Sequence, residues 1–358
     1  MKNPILPLAA VLMAGAMSLV SCDSDSPYVP NPDAPARSNG AYVLTQGNFS
    51  HVPGALYAVD YATSSVTAEA FQKANGISLG DSPQCGVCYG SKLYLGVSES
   101  NCIFVCDKNT FKVINTIRLN NSKNGQKPRS MVATGGKVYV AMYDGYVVRM
   151  DTTSTVIEKS VKVGPNPELM GLYENKLYVP NSDGENYPNY GTTASVIDLD
   201  SFSVTATITV PMNPYQFEAN NTGLYLLAKG NYSDVTSKIY KMEGIDFKEV
   251  ADATIMTLDK DLIYYVNAPF YGDRATEYKV YNPANKQSKV LSFPDVQYPS
   301  NMVVDRVAGK LFVSSYVMDG QYPSYVAPGY LNEYDMNLNL LHKYDIGAGP
   351  TCIFFNQD

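Results

Sequence analysis

A short strand signature returns seven times along this chain, and that recurrence restricts the fold more than any other feature. Six copies are Lys92-Leu93-Tyr94-Leu95, Lys137-Val138-Tyr139-Val140, Lys176-Leu177-Tyr178-Val179, Leu224-Tyr225-Leu226, Leu262-Ile263-Tyr264-Tyr265 and Lys310-Leu311-Phe312-Val313. Ala41-Tyr42-Val43-Leu44 is the seventh. The aromatic falls at positions 42, 94, 139, 178, 225, 264 and 312, a period of 39 to 52 residues. Upstream of most copies a proline opens a second apolar strand: Pro83-Gln84, Pro128-Arg129, Pro167-Glu168, Pro214-Tyr215 and Pro299-Ser300. The unit of Tyr264 lacks that proline, and Ala251 to Met256 takes its place.

Between these marks lie stretches that alternate apolar and polar residues, such as Thr205 to Val210. Alternation of period two marks half-buried strands, and no segment carries the 3.6-residue period of a helix. Each unit therefore holds four strands, A after the proline, B with the Leu-Tyr pair, then C and D. One such sheet cannot bury both of its faces, so the units must stack on one another. Repeats of this length with four strands each predict an all-β, seven-bladed β-propeller. The chain enters on a B strand at Tyr42 and leaves on an A strand, Pro350-Thr351-Cys352-Ile353-Phe354. The C-terminal strand is expected to pair with the N-terminal blade and close the ring, which removes the exposed edges of an open array.

The first residues are of a different kind. Lys2 precedes an apolar run from Ile5 to Val20 that ends in Leu19-Val20-Ser21-Cys22. A charged start, an apolar core and a small-residue cleavage site predict a secretory signal peptide over 1–21. The last four residues resemble a bacterial lipobox, which implies lipidation of Cys22 and stable anchoring through several acyl chains. Residues 22–40 carry four prolines and little hydrophobicity, and read as a flexible tether before a propeller spanning 41–358. The acidic Asp23-Ser24-Asp25-Ser26 after the cysteine resembles the surface-export signals of Bacteroidota lipoproteins. It implies an outer-membrane, cell-surface location, with the lipid as the only membrane attachment. A net charge of −7 argues against nucleic acid as a partner.

In a propeller the D–A and B–C loops share the face around the channel mouth. Here the B–C loops interleave aromatics with Asn, Asp, Gln and Gly. They are Gln46 to His51, Tyr143 to Gly145, Asn181 to Tyr190, Asn231 to Asp234, Phe270 to Arg274 and Tyr316 to Tyr330. The chain holds 29 tyrosines, no tryptophan and 2 histidines. The B-strand tyrosines Tyr94, Tyr139, Tyr178, Tyr225 and Tyr264 read as core. Solvated loops have no packing need for so many more, and tyrosine binds with a flat body, a polar tip and little rotamer entropy to lose. A ligand that is large, partly flat and polar at its edges fits such a face.

Catalytic motifs are missing: no Gly-x-Ser-x-Gly elbow, no phosphate loop, no His-Glu-x-x-His. The chain reads as a binding protein and not an enzyme. His342, next to Leu340-Leu341, reads as structural, while His51 lies in a binding-face loop. Asp183 and Glu185 have no diagnostic spacing for calcium or acid–base work. Cys85 and Cys88 point to opposite faces of one strand, so they and Cys102 and Cys106 are expected to pack between blades and not to bind metal.

The units resemble the YVTN family of surface propellers, whose blades carry the same Leu-Tyr-Val and Gly-x-x-Pro elements. With the lipobox and the tyrosine-rich face, the whole resembles the BtuG-type cobalamin-binding lipoproteins of gut Bacteroidota. That resemblance implies capture of a corrinoid (cobalamin, vitamin B12) and its delivery to a TonB-dependent outer-membrane transporter, with no cofactor other than this cargo. The contacts it suggests on this chain are Gln46, Asn48, Phe49, Arg129, Tyr143, Tyr187, Tyr215, Tyr232, Tyr271, Tyr316 and Tyr322, with His51 near the metal. A glycan-binding lipoprotein of a polysaccharide uptake system and a protein-interaction scaffold are the alternatives, and a propeller lactonase or lyase follows them.

Overall fold

Neighbouring residues on each B strand serve different blades, which is why the repeated signature is apolar without interruption. In a computed structural model, which describes residues 37–357 apart from 49–51, 121, 124 and 269–274, Leu93 and Leu95 pack with Tyr42, Leu44 and Phe354. Tyr94, between them, packs instead with Val138, Val140 and Met150. The pattern repeats: Tyr139 packs toward Leu177 and Val179, Tyr178 toward Leu224 and Leu226, and Tyr225 toward Ile263. Tyr264 then packs toward Leu311 and Val313, and Phe312 toward Ala41 and Val43. Every blade thus sends its aromatic forward and its aliphatic pair back, giving seven cores that close into a ring. Each such side chain contributes roughly 1.5–3 kcal/mol when taken out of water.

Seven four-stranded antiparallel sheets result. Blade 1 consists of Ser38–Thr45, Ala55–Asp60 and Ser65–Thr67, completed by Pro350–Gln357 from the other end of the chain. Blades 2, 3 and 5 open at Pro83, Pro128 and Pro214, and blade 7 at Tyr298. The closing strand pairs Phe354 with Tyr42 and Ile353 with Val43, as the repeat predicts. Asp305, at the end of the blade 7 A strand, is fully buried at this seam. It accepts hydrogen bonds from the Ser38 hydroxyl, from Tyr61 Oη at 3.0 Å and from Gln357 Nε2 at 3.2 Å.

An aspartate terminates the C strand of five blades and closes the turn to D. Asp60 accepts from the Thr63 amide at 2.8 Å and its hydroxyl at 2.9 Å, and Asp198 holds Ser201 in the same way. These donors draw both carboxyls below their ordinary pKa.

Two local expectations are corrected. The A strand of blade 6 is Ile255–Leu258, and Ala251 belongs to the preceding D strand, Asp246–Asp252. Without a proline to mark its start, the boundary between the two strands, which lies at Ala253-Thr254, carries no sequence signal. A six-residue helix, Ala70–Asn75, lies between blades 1 and 2, where no helical period is visible. It is held by tertiary contact, burying Phe71 4.8 Å from Phe104, and is too short to show a period.

The B-strand tyrosines differ in one respect. Tyr42 Oη donates to the Lys108 carbonyl at 3.0 Å and Tyr225 Oη lies 2.6 Å from Thr222 Oγ1, whereas the buried Tyr94 hydroxyl has no partner among the described residues. Tyr94→Phe is therefore expected to leave stability unchanged or raise it by about 1 kcal/mol, since an unpaired buried hydroxyl costs about 1–3 kcal/mol. Tyr225→Phe should lose about 1 kcal/mol. Urea denaturation of both variants reads the contrast, and equal losses would remove the distinction.

Candidate functional site

The residue after each A-strand proline is the structural origin of the site. In five blades it sits in a β-bulge: Pro83 pairs with Val97 and Cys85 with Gly96, so Gln84 is left over. Arg129, Tyr215, Ser300 and Thr351 are left over in the same way in blades 3, 5, 7 and 1. A bulge re-aims its extra side chain, here at the channel mouth. In blade 4 the ladder starts only at Gly171, and Pro167 makes a lone bridge to Asn181, which leaves Glu168 in the matching place.

These side chains join across blades. Arg129 Nη1 donates to Gln84 Oε1 at 2.6 Å, and Gln84 Nε2 donates to Gln46 Oε1 at 3.2 Å. On its other side Arg129 Nε donates to Glu168 Oε2 at 2.6 Å, and Ser182 Oγ donates to Glu168 Oε1 at 3.4 Å. Burial pushes the Glu168 carboxyl up, with Arg129 pulling it back. The Arg129 guanidinium also lies 5.9 Å from the Tyr143 ring centre. The belt thus links blades 1 to 4.

Blades 5 to 7 shape the cavity. Lys229 follows the B strand of blade 5 and sits 4.4 Å from the Tyr215 ring, donating to the Thr254 carbonyl. Burial lowers its ammonium to about 8 against the pull of Glu168. A cavity of about 520 Å³ opens over it, bounded by Tyr232, Thr254, Asn267, Tyr298, Ser300, Tyr316 and Tyr325. Two aromatic rows flank the opening. Tyr187, Tyr190 and Tyr232 meet edge to face at 6.0 and 5.8 Å, and Tyr298, Tyr316 and Tyr325 stand at 6.3 and 5.2 Å. A second hollow of about 590 Å³ lies over blades 3 and 4, lined by Lys127, Tyr143, Asp144, Asn166, Asp183 and Glu185. Such volumes lie in the range of small-molecule sites, and the apolar rings with scattered hydroxyls and amides can hold a ligand that is flat in its body and polar at its edge.

The expected contacts divide accordingly. Gln46, Arg129, Tyr143, Tyr215, Tyr232 and Tyr316 gather around the mouth, linked by the contacts above. Asn48 pairs with Val52 through its backbone. Tyr187 and Tyr322 are 71% and 67% exposed, Tyr187 on the rim beside Tyr190 and Tyr322 on a small hairpin with Met318–Asp319. Phe49, His51, Tyr271 and Cys22 lie outside the described residues, as do the 1–21 segment and most of the tether. Sequence reasoning passed over Lys229, Glu168 and Tyr298. Glu168 was legible as the residue after the repeated proline. Lys229 was legible as the residue after the B strand, in line with Gln46 and Tyr143. His342 packs on its outer strand against Tyr344 at 5.8 Å. Cys85 lies in the core between blades 2 and 3, and Cys88, Cys102 and Cys106 in that between blades 1 and 2.

Residues 39–154 match a family model described as a domain of unknown function, DUF5074. No curated protein matches the chain in sequence. Among solved structures, a candidate 6-phosphogluconolactonase from Bacteroides fragilis is 13% identical with a TM-score of 0.61, covering 89% of this chain and 98% of that one. A counterpart from Bacteroides uniformis is 12% identical with a TM-score of 0.62, covering 89% and 100%. A Lactobacillus plantarum protein is 15% identical with a TM-score of 0.60, covering 88% and 99%. At these identities the likeness is one of fold. The chain is a seven-bladed β-propeller, closed by its C-terminal strand, that resembles propeller proteins of Bacteroides.

Proposed function

We propose that this chain is a cell-surface lipoprotein of the outer membrane, anchored through Cys22, that captures a corrinoid on its loop face and passes it to a TonB-dependent transporter. On this reading it is a YVTN-type propeller that works by binding and not by catalysis. The observation that carries the reading is the cavity between the two tyrosine rows. A corrin has broad apolar faces suited to rings such as Tyr232 and Tyr316, and a rim of amides suited to Asn267, Ser300 and the backbone. The cavity takes one edge of such a ligand, and the remainder spreads over the exposed ring of Tyr187 and the half-buried ring of Tyr190. An amide left unpaired on burial costs about 1–3 kcal/mol, so the rim supplies the discrimination. The charged groups of the belt are tied to one another, as suits a floor.

The test uses the mature chain with Cys22→Ala, mixed with cyanocobalamin and passed through a desalting column. Corrin absorbance in the protein peak at one equivalent is expected, with Tyr316→Ala weakening it at least tenfold. Complete separation of corrin from folded protein overturns the corrinoid reading and turns the search to glycans, for which the same tyrosine rows are a stacking surface.

A further inference from the structure

Lys229 is the cation of the cavity, and its surroundings mark it as a reader of negative charge. Two charged residues line the space, Lys229 and Asp252. Asp252 ends the outer strand of blade 5, is exposed, and meets Thr236 Oγ1 at 3.5 Å. Lys229 sits on the inner side, between the Tyr215 ring and the Thr254 carbonyl. Among the described residues no carboxylate forms an ion pair with its ammonium. The nearest charges of the belt offset each other, since Glu168 is held by Arg129 at 2.6 Å. The polar part of the remaining lining is hydroxyl and amide, from Ser233, Thr236, Ser237, Thr254, Ser300, Asn267 and the tyrosines, beside the apolar Val235, Ile255, Ala268 and Pro299. A buried ammonium is costly unless something compensates it, and a ring face with one carbonyl compensates it in part. That shortfall also lowers its pKa to about 8.

We propose that this cavity selects ligands bearing an anionic group, a phosphate ester or a carboxylate, seated on Lys229 with the neighbouring hydroxyls as donors. The inference rests on the reading that this cavity is the ligand site. It does not require the ligand to be a corrinoid. In a chain of net charge −7 an anion is disfavoured over the surface at large, so a partly buried cation flanked by hydroxyl groups gives selectivity by position.

The probe is naphthalene-1-sulfonate, whose charge is fixed across pH, with naphthalene-1-methanol as its neutral counterpart. Both are titrated calorimetrically into the Cys22→Ala chain, into Lys229→Gln and into Lys229→Arg. Expected is sulfonate binding at least tenfold tighter than alcohol binding, a loss of that preference in Lys229→Gln, and its retention in Lys229→Arg. The groups facing Lys229 are Glu168, Arg129, Tyr215, Tyr232, Tyr316 and Asp252. Burial lowers the Lys229 ammonium to about 8, so sulfonate affinity should fall as the pH rises through that value while alcohol affinity holds. Equal affinity for the two probes, or an unchanged preference in Lys229→Gln with native thermal stability, overturns the proposal. Cyanocobalamin, which carries a phosphodiester, is compared with dicyanocobinamide, which does not. If both bind alike while the sulfonate preference stands, the corrinoid lies elsewhere on the face. If neither binds while that preference stands, the corrinoid reading fails alone.

Discussion

Asp305→Ala is expected to lower the free energy of unfolding by about 3 kcal/mol and to loosen the ring at its seam before anywhere else. The carboxylate is fully buried and accepts from the Ser38 hydroxyl, Tyr61 and Gln357, and from the Val307 and Ala308 amides at 3.1 Å. Those donors come from the B strand of blade 1, from the turn after its C strand, from the closing strand and from blade 7 itself. One group therefore ties the last blade to both ends of the chain. Removing it orphans several buried donors, each costing about 1–3 kcal/mol unless water replaces the acceptor. The seam is where the two ends of the chain pair, so its loss opens the ring. Amide hydrogen exchange should therefore quicken first in Pro350–Gln357 and Ser38–Thr45, the two strands that pair there. Asp305→Asn keeps an acceptor and should lose about half as much. Stability of Asp305→Ala within 0.5 kcal/mol of the parent would show that the ladder alone holds the closure.

What could be read in advance was what each repeat settles locally. The B strands were legible because a strand buried on both faces must be apolar throughout, and Tyr42, Tyr94 and Tyr139 stand at one phase of it. The proline-led A strands were legible where proline is present and shifted by four residues where it is missing, at Ile255. The helix Ala70–Asn75 escaped because Phe71 is fixed by Phe104, a contact between blades. At the site, Arg129 and Tyr215 could be named from the residue after the proline, since the bulge repeats with the motif. The tyrosine rows could not be assembled that way. Tyr190 reaches Tyr232 only once blades 4 and 5 stand side by side, while Tyr298 meets Tyr316 as its cross-strand partner in blade 7 and Tyr325 returns onto Tyr316 from the loop that follows. Tyr187 and Tyr322 show the converse, because a loop aromatic far along its loop ends on the rim or beyond it.

Glu168→Ala is expected to cost about 2–3 kcal/mol, while Arg129→Met with Glu168→Met stays within about 1 kcal/mol of the parent. The Glu168 side chain is 7% exposed and that of Arg129 24%, so the single variant strands a guanidinium that is mostly out of water. Removing one partner of a buried pair leaves the other charge uncompensated, whereas replacing both removes the desolvation cost with the attraction. Gln84 and Ser182, which bond to the pair, lose a partner in either case. That shared loss keeps the double variant from exceeding the parent. With each single Met variant costing about 2–3 kcal/mol and the double about 1, a double-mutant cycle in urea built on Arg129→Met, Glu168→Met and their combination should give a coupling of about 3–5 kcal/mol. The same variants separate two roles of the belt. If Arg129 and Glu168 form a floor that positions Tyr143 and Tyr215, ligand binding survives in the double variant and weakens in Glu168→Ala. If they contact the ligand directly, binding is lost in both. The closure of Arg129 on Gln84 and Glu168 favours the floor, because a guanidinium already engaged on two sides has little left to offer a ligand.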